Sequence, residues 1–192
     1  MDGQSFCGGA IAKLATRSLK KGPPFPVSEQ DEPVLTRLHN DLLISYVVDQ
    51  GDRFQYVQRR HLRAEDVSEA DLHRGGVANL EMRLTHNGAE VHPCADVFVL
   101  VFDGHFDASL ILVDRLWDED LAGFAPSGFV VGFPKKNILA FCDAKSDVGP
   151  VQIQRIIEHV GGGDHPTATS LYYRDPVLRD WRSFRETDSR LN

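Results

Sequence analysis

The sequence contains a continuous apolar run of strand length, Val97-Phe98-Val99-Leu100-Val101-Phe102. A run of this kind, in which polar residues do not alternate with apolar ones, is typical of a strand that is covered on both faces. We therefore predict that residues 97–102 form a central strand. The segments on either side of this run decide which other elements join it.

Two β-hairpins are predicted, one before and one after the central strand. The segments 42–49 and 53–58 are rich in β-branched and aromatic residues and flank the turn Gln50-Gly51-Asp52. The segments 129–133 and 138–142 form a second pair of short apolar runs. With one more strand at 169–173, these segments indicate a mixed sheet of about six strands.

Three or four helices are predicted to flank this sheet, which makes the fold class α+β. They cover residues 5–19, 69–85, 108–117 and a segment that begins at Ser146 or Asp147 and ends before Gly161-Gly162-Gly163. A short strand is the alternative for the third of these segments. The helix over 5–19 is predicted from apolar residues at helical spacing, and Gly22-Pro23-Pro24 ends it.

The order hairpin, helix, strand occurs twice, in 42–102 and in 129–173. This order indicates a structural pseudo-repeat, although the two halves share no residue motif and such units are common. The predicted organisation is an N-terminal helix and Pro-rich linker in residues 1–33, an α+β domain in 34–174, and a charged C-terminal tail in 175–192. Within the tail, Trp181 and Phe184 are the expected packing anchors.

Composition excludes several classes of partner. The chain has 28 acidic and 21 basic residues and a formal charge of −7, which disfavours attraction to nucleic-acid phosphates and anionic lipid. Its apolar runs are far shorter than the roughly 20 residues that span a bilayer. The three cysteines form no CxxC pair, so we expect neither a disulfide framework nor a zinc knuckle, and we expect a cytoplasmic location.

Several segments resemble a known family. The first half does so through Tyr46-Val47-Val48-Asp49, Arg53-Phe54-Gln55-Tyr56-Val57, Leu72 and Asn79-Leu80, and the second through Asp103-Gly104-His105-Phe106-Asp107-Ala108-Ser109, Leu112, Trp117, Phe129-Val130-Val131-Gly132-Phe133-Pro134 and Leu139-Ala140-Phe141. These segments, which span residues 42–143, resemble the YtpQ-like family of uncharacterised bacterial proteins. The resemblance implies a cytoplasmic bacterial α+β protein with a domain of unknown function. It implies no catalytic residue, cofactor or substrate.

One polar group is a candidate catalytic site. Asp103, His105 and Asp107 follow the predicted central strand, and loops at strand ends are where polar sites collect. A histidine beside carboxylates can act as a general base, with Asp49 or Asp143 close by in space. The alternative is structural, because Asp103-Gly104 is typical of a tight turn and Asp107 of a helix cap.

Two other kinds of chemistry have weaker support. His92, Cys94 and Asp96 are of the residue types that bind zinc, but the strand after them separates them from Asp103 and His105 by about 20 Å. A cysteine nucleophile lacks a local activating signature. The GxSxG, HExxH, GxGxxG and Walker motifs are absent from the sequence. We therefore expect no cofactor and no metal.

The leading functional hypothesis is a non-enzymatic binding or protein-interaction domain. Catalytic spacing is absent, and the acidic surface with its terminal extensions suits a protein partner, possibly a basic one. The competing hypothesis is a small hydrolase that uses Asp103, His105 and Asp107 as its acid-base residues. Geometry separates the two, because acid-base residues should converge in a concave pocket, whereas structural residues should bind backbone groups.

Overall fold

The computed structural model describes residues 5–15, 28–39, 42–135, 137–160 and 170–184. It confirms the α+β fold, with strands in two antiparallel sheets, one of four strands and one of six. The strands are more numerous than the six predicted, and they are divided between two sheets. The chain forms two compact units, Met1–His86 and Asn87–Asn192, and the predicted domain boundaries stay a prediction.

The first unit contains the four-stranded sheet and two helices. Its strands are β1 (Ala10–Ala15), β2 (Leu35–Arg37), β3 (Leu43–Asp49) and β4 (Phe54–Tyr56), and its helices are α1 (Arg59–Glu65) and α2 (Glu69–Asn87). The strands β1, β2 and β4 all pair with β3 in antiparallel register. The predicted first hairpin is therefore confirmed as β3 and β4. The helix predicted over 69–85 is confirmed as α2.

The predicted N-terminal helix is wrong over Ala10–Ala15, which forms β1 after a single 3₁₀ turn at Cys7–Gly9. The whole length of β1 pairs with β3, from Ala10 opposite Val48 to Ala15 opposite Leu43. Tertiary pairing therefore overrides the helical preference of an alanine-rich segment. The rest of the predicted helix and most of the Pro-rich linker, residues 16–27, lie outside the described residues.

Helix α2 lies in close contact with the first sheet through a glycine. A Cβ atom at Gly76 would lie 3.0 Å from Cδ1 of Tyr46 and 3.2 Å from the backbone nitrogen of Ala12. Gly76 therefore allows the helix backbone to approach β1 and β3 closely. Around this contact, α2 buries Leu72, Leu80 and Leu84, and the sheet buries Ala10, Ala12, Ile44 and Tyr46.

The second unit contains the six-stranded sheet. Its strands are β5 (Glu90–Cys94), β6 (Val97–Val101), β7 (Phe129–Lys135), β8 (Ile138–Asp143), β9 (Tyr172–Arg174) and β10 (Trp181–Ser183). They are arranged in the order β10-β9-β7-β8-β6-β5. The second predicted hairpin is confirmed as β7 and β8. The last predicted strand is confirmed over Tyr172 and Tyr173, whereas residue 169 lies outside the described residues.

Residues 97–101 of the predicted strand form β6, which lies between β8 and β5, and Phe102 follows it in a bend. Val97 and Leu100 are buried, but Val101 is 42% exposed, so coverage of both faces is incomplete. This exposure accompanies the position of β6 in the sheet. The strands β7 and β8 occupy the middle of the sheet, and β6 lies next to the edge strand β5. Since β6 pairs with β8, the first hairpin, helix and strand do not form a self-contained unit, and the pseudo-repeat lacks structural support.

The helix predicted over 108–117 is replaced by shorter helical segments. They are a 3₁₀ segment at Asp107–Leu112, a π-helical turn at Leu116–Asp120 and a 3₁₀ turn at Ala122–Phe124. Trp117 is buried among aromatic rings, with Phe129 and Trp181 each 5.1 Å away between centroids. Its Nε1 atom donates a hydrogen bond to the carbonyl of Leu110 at 2.8 Å. Trp117 is therefore a core residue.

The predicted helix that begins at Ser146 or Asp147 is confirmed as α3 (Gly149–Val160). Its start follows the predicted cap, because Oγ of Ser146 accepts a hydrogen bond from the backbone N–H of Gly149 at 2.9 Å. Helix α3 covers β7, where a Cβ atom at Gly132 would lie 2.5 Å from Cγ2 of Ile153. None of the helices in the described ranges combines the length and the apolar composition that a membrane-spanning segment needs.

The two edge strands of the second sheet differ from each other. Residues 181–183, predicted as part of a charged tail, form β10 and pair with β9. Trp181 packs on Trp117 and Phe184 packs against the core, so both predicted anchors are confirmed. At the other edge, β5 is largely exposed and contains Pro93 opposite Phe98.

Candidate functional site

The three predicted acid-base residues lie in the turn after β6. Oδ1 of Asp103 accepts hydrogen bonds from the backbone N–H groups of His105, at 2.9 Å, and Phe106, at 2.8 Å. Gly104 has a φ of +75°, which suits the tight turn that this carboxylate stabilises. The imidazole of His105 is exposed. Asp103 therefore serves the backbone of its own turn.

Asp107 is buried and points back toward β6. Its Oδ1 atom accepts a hydrogen bond from the backbone N–H of Phe102 at 2.9 Å. This bond links the end of the strand to the start of the 3₁₀ segment, so Asp107 does not form the predicted cap on the helix that follows it. Both carboxylates thus bind backbone groups, which is the geometry expected of structural residues. The acid-base hypothesis stays a prediction without support from this geometry.

The two additional carboxylates also have structural partners. In the first unit, Asp49 accepts a hydrogen bond from the backbone of Gly51 and forms an ion pair with Arg83. In the second unit, Asp143 accepts hydrogen bonds from the backbone N–H groups of Ser127 and Lys145. These contacts stabilise turns at strand ends.

The residues considered for a metal are spread along the edge of the second sheet. His92 lies within 3.2 Å of Glu90, whereas Asp96 exchanges hydrogen bonds with Gln152 of α3. Among the described residues, no group of three His, Cys, Asp or Glu side chains is arranged to hold a metal ion.

Two of the three thiols are poorly suited to act as nucleophiles. Burial raises the pKa of Cys142 to about 12. Burial, together with the carboxylate of Glu65, raises the pKa of Cys7 to about 11. Because the thiolate is the reactive form, these two cysteines are protonated core residues. Cys94 is exposed on β5.

The turn between β9 and β10 presents the most exposed large apolar side chains of the described residues. Val177 is 84% exposed and Leu178 is 74% exposed. We call residues 175–180, Asp-Pro-Val-Leu-Arg-Asp, the hairpin tip. Together these two side chains form an apolar surface, and its burial against another protein would be favourable.

Internal hydrogen bonds stabilise the turn of the hairpin tip. Oδ1 of Asp175 accepts hydrogen bonds from the backbone N–H groups of Val177, at 2.8 Å, and Leu178, at 2.9 Å. The bonds from Leu178 and Val177 lower the pKa of Asp175 below its usual value. Arg179 closes the turn with a φ of +56° and donates its backbone N–H to the carbonyl of Asp175. Val177 and Leu178 are thus presented by an ordered turn.

A buried arginine holds the base of the hairpin. Arg174, at the end of β9, is 2% exposed, and its Nη2 atom lies 3.0 Å from Oδ1 of both Asp114 and Asp118. Its guanidinium also stacks 5.4 Å from the ring centre of Trp181. Arg179 lies 3.6 Å from Oδ2 of Asp118. The hairpin is therefore fixed to the segment 114–120.

Comparisons with known proteins provide no relative from which a function could be inferred. No family model, curated protein or solved structure matches the chain. The resemblance to the YtpQ-like family stays a prediction. The fold and site define a class in coarse terms, an α+β protein with two antiparallel sheets and an ordered, apolar hairpin tip.

Sequence reasoning missed the hairpin tip because residues 175–192 were predicted as a charged tail. One signal was present, since Asp175-Pro176 initiates turns and is followed by two aliphatic residues in an otherwise polar stretch. Combined with Trp181 as a predicted anchor, that signal favours an ordered hairpin.

Proposed function

We propose that this chain is a non-enzymatic protein-interaction domain that binds its partner through the hairpin tip. The observation that carries the proposal is the exposure of Val177 and Leu178 on a turn ordered by Asp175. Ordering matters because a preorganised contact loses little conformational entropy on binding. We place this interaction in the cytoplasm, which suits three cysteines that are all free.

The contact area supports a role as an anchor. Interfaces depend on a few side chains that fill pockets and become fully desolvated. Val177 and Leu178 each lose roughly 1.5–3 kcal/mol of unfavourable hydration when fully buried. A micromolar complex has a binding free energy of about 8 kcal/mol. Burial of both side chains in a partner pocket would therefore supply a substantial part of that free energy.

Site-specific photo-crosslinking tests this function. Leu178 is replaced by a photoreactive benzoylphenylalanine in the cells that make the protein, and the matched control places the same residue at Val151, an exposed aliphatic position on α3 of the same unit. We expect one discrete protein adduct from position 178 and none of the same mass from position 151. Equal adducts at both positions, or none at position 178, would refute the proposal.

A second experiment separates binding from folding. The double substitution Val177→Ser/Leu178→Ser removes the apolar surface but keeps the hydrogen bonds that the two backbone N–H groups donate to Asp175. We expect an unchanged melting temperature, because exposed side chains contribute little to stability, and loss of the adducted partner in co-purification. Retention of that partner by the double variant would contradict a role for the tip.

A further inference from the structure

The hairpin tip lies beside a group of carboxylates in the same unit. Arg174 and Arg179 connect the hairpin to Asp114 and Asp118. Glu119 and Asp120 follow directly in the chain and are exposed. We call these four residues, Asp114, Asp118, Glu119 and Asp120, the acidic flank. The ion pair between Arg179 of the tip and Asp118 places this end of the flank beside the tip, so a partner of Val177 and Leu178 also approaches its charges.

The charge around the tip is strongly unbalanced. The segments 114–120 and 174–180 contain six carboxylates and three guanidinium groups. Each of the three arginines forms an ion pair with the acidic flank. Arg115 pairs with Asp120, Arg174 with Asp114, and Arg179 with Asp118. Asp114 remains 75% exposed despite its ion pair with Arg174. The surface beside the apolar tip therefore carries an excess of negative charge.

We propose that the partner is a basic protein surface, in which an apolar pocket for Val177 and Leu178 is edged by lysine and arginine side chains. This inference rests on the proposed function and names the chemistry of its partner. An apolar centre with a charged rim is the usual organisation of a protein interface. Complementary rim charges accelerate association and discriminate against acidic partners. The same excess of carboxylates disfavours an anionic membrane as the occupant.

Two synthetic peptides and two double variants test the charge of the partner. The peptides are 18-residue amphipathic helices with the same leucine face, one with lysine and one with glutamate on the polar face. The flank variant is Glu119→Gln/Asp180→Asn, which removes one exposed charge of the acidic flank and one at the end of the hairpin tip. The control variant is Asp147→Asn/Glu158→Gln, which removes two exposed charges near the two ends of α3. Affinity is measured by calorimetry at low and high salt.

We expect the lysine peptide to bind the native chain and the glutamate peptide to bind at least tenfold more weakly. Because exposed ion pairs contribute up to about 1 kcal/mol each, the flank variant should bind the lysine peptide roughly three- to tenfold more weakly. High salt should remove this difference. The control variant should bind like the native chain.

The outcomes distinguish the two proposals. Equal weakening in the flank and control variants means that net charge alone attracts the peptide, which overturns the basic partner surface. Equal binding of both peptides overturns it as well. Vesicles of neutral phosphatidylcholine serve as a third probe, and stronger binding to them than to the lysine peptide would also overturn the basic partner surface. Lysine-peptide binding that survives Leu178→Ser contradicts the role of the tip and thus the proposed function. If neither peptide binds, the proposal of a basic partner surface is refuted. Crosslinking from position 178 tests the proposed function independently of this result.

Discussion

Arg174 donates two hydrogen bonds to Oδ1 of Asp118, at 3.0 Å from Nη2 and 3.2 Å from Nε. Asp118 is 17% exposed and the arginine is almost fully buried. Removal of the carboxylate leaves a buried guanidinium without its main partner. We therefore predict that Asp118→Ala lowers the free energy of unfolding by about 3 kcal/mol, measured by urea denaturation.

Asp114 provides the control for this ion pair. It contacts the same Nη2 atom at 3.0 Å but is mostly exposed, and solvent screens such pairs. Asp114→Ala should therefore lower the free energy of unfolding by less than about 1 kcal/mol. Equal losses in the two variants would show that burial does not determine the strength of this contact.

The adjacent glycines of α2 should respond to alanine in opposite directions. A Cβ atom at Gly75 would meet nothing within 4 Å, whereas one at Gly76 would press on Tyr46 and on the backbone of Ala12. Alanine favours a helix over glycine by about 1 kcal/mol, so Gly75→Ala should stabilise the chain by up to that amount. Gly76→Ala should destabilise it, because overpacking costs about 1–3 kcal/mol. Thermal unfolding of both variants checks this prediction, which a stabilised Gly76→Ala would refute.

Glu65 should make the stability of the first unit depend on pH. Its side chain accepts hydrogen bonds from the hydroxyl of Ser5 and from the backbone N–H groups of Phe6 and Cys7. The bond from Ser5 is the main cause that lowers the pKa of Glu65, and the two backbone bonds add to it. The folded state therefore binds the proton of Glu65 less tightly than the unfolded state does. The stabilisation is complete when the pH is above the pKa of Glu65 in the unfolded state, and it is lost as the pH falls through the lower pKa of the folded state.

We therefore expect Glu65→Gln to be less stable than the native chain by about 1 kcal/mol at pH 7, after allowance for solvent screening. The difference should shrink as the pH falls below about 4.5, the ordinary value for this group. Denaturation midpoints at pH 3, 5 and 7 measure the effect, and a difference that stays constant over this range would count against it.

The three thiols should react at very different rates in the native state. At pH 8 the fraction of thiolate falls tenfold for each unit by which the pKa is raised. Relative to an ordinary value of 9.0, the thiolate of Cys142 is reduced about 1000-fold and that of Cys7 about 100-fold. A thiol reagent should therefore modify Cys94 in a single fast phase, and Cys94→Ala should remove that phase. A fast phase that survives this substitution would contradict the burial of the other two.

The sequence predicts the hairpins and α2 because their signals are local. The pair β3 and β4 follows from alternation on both sides of a Gly-containing turn. The start of α3 follows from the capping hydroxyl of Ser146. Each of these features depends on neighbours within a few residues along the chain, so a single sequence contains the necessary information.

The parts that sequence reasoning missed depend on distant partners. The alanines of β1 favour a helix locally, but the pairing of β1 with β3 and the close approach of Gly76 to Ala12 and Tyr46 favour a strand. Strand patterns also do not specify pairing, so the division into two sheets was not predicted. At the candidate site, Asp103 and Asp107 are equally compatible with catalysis and with a turn until their bonds to backbone N–H groups are known.

Pro93 determines how the second sheet ends at its exposed edge. Proline has no N–H to donate and is typical of edge strands, so β5 has one backbone donor fewer than a strand of the same length without proline. Glu90 and His92 on the same strand are exposed polar side chains. They would lose water if another sheet packed closely against this strand, which makes such packing unfavourable. These features of β5 are those by which edge strands resist pairing with strands of other molecules, so the sheet can end in an exposed strand without offering a regular template for fibril-like stacking.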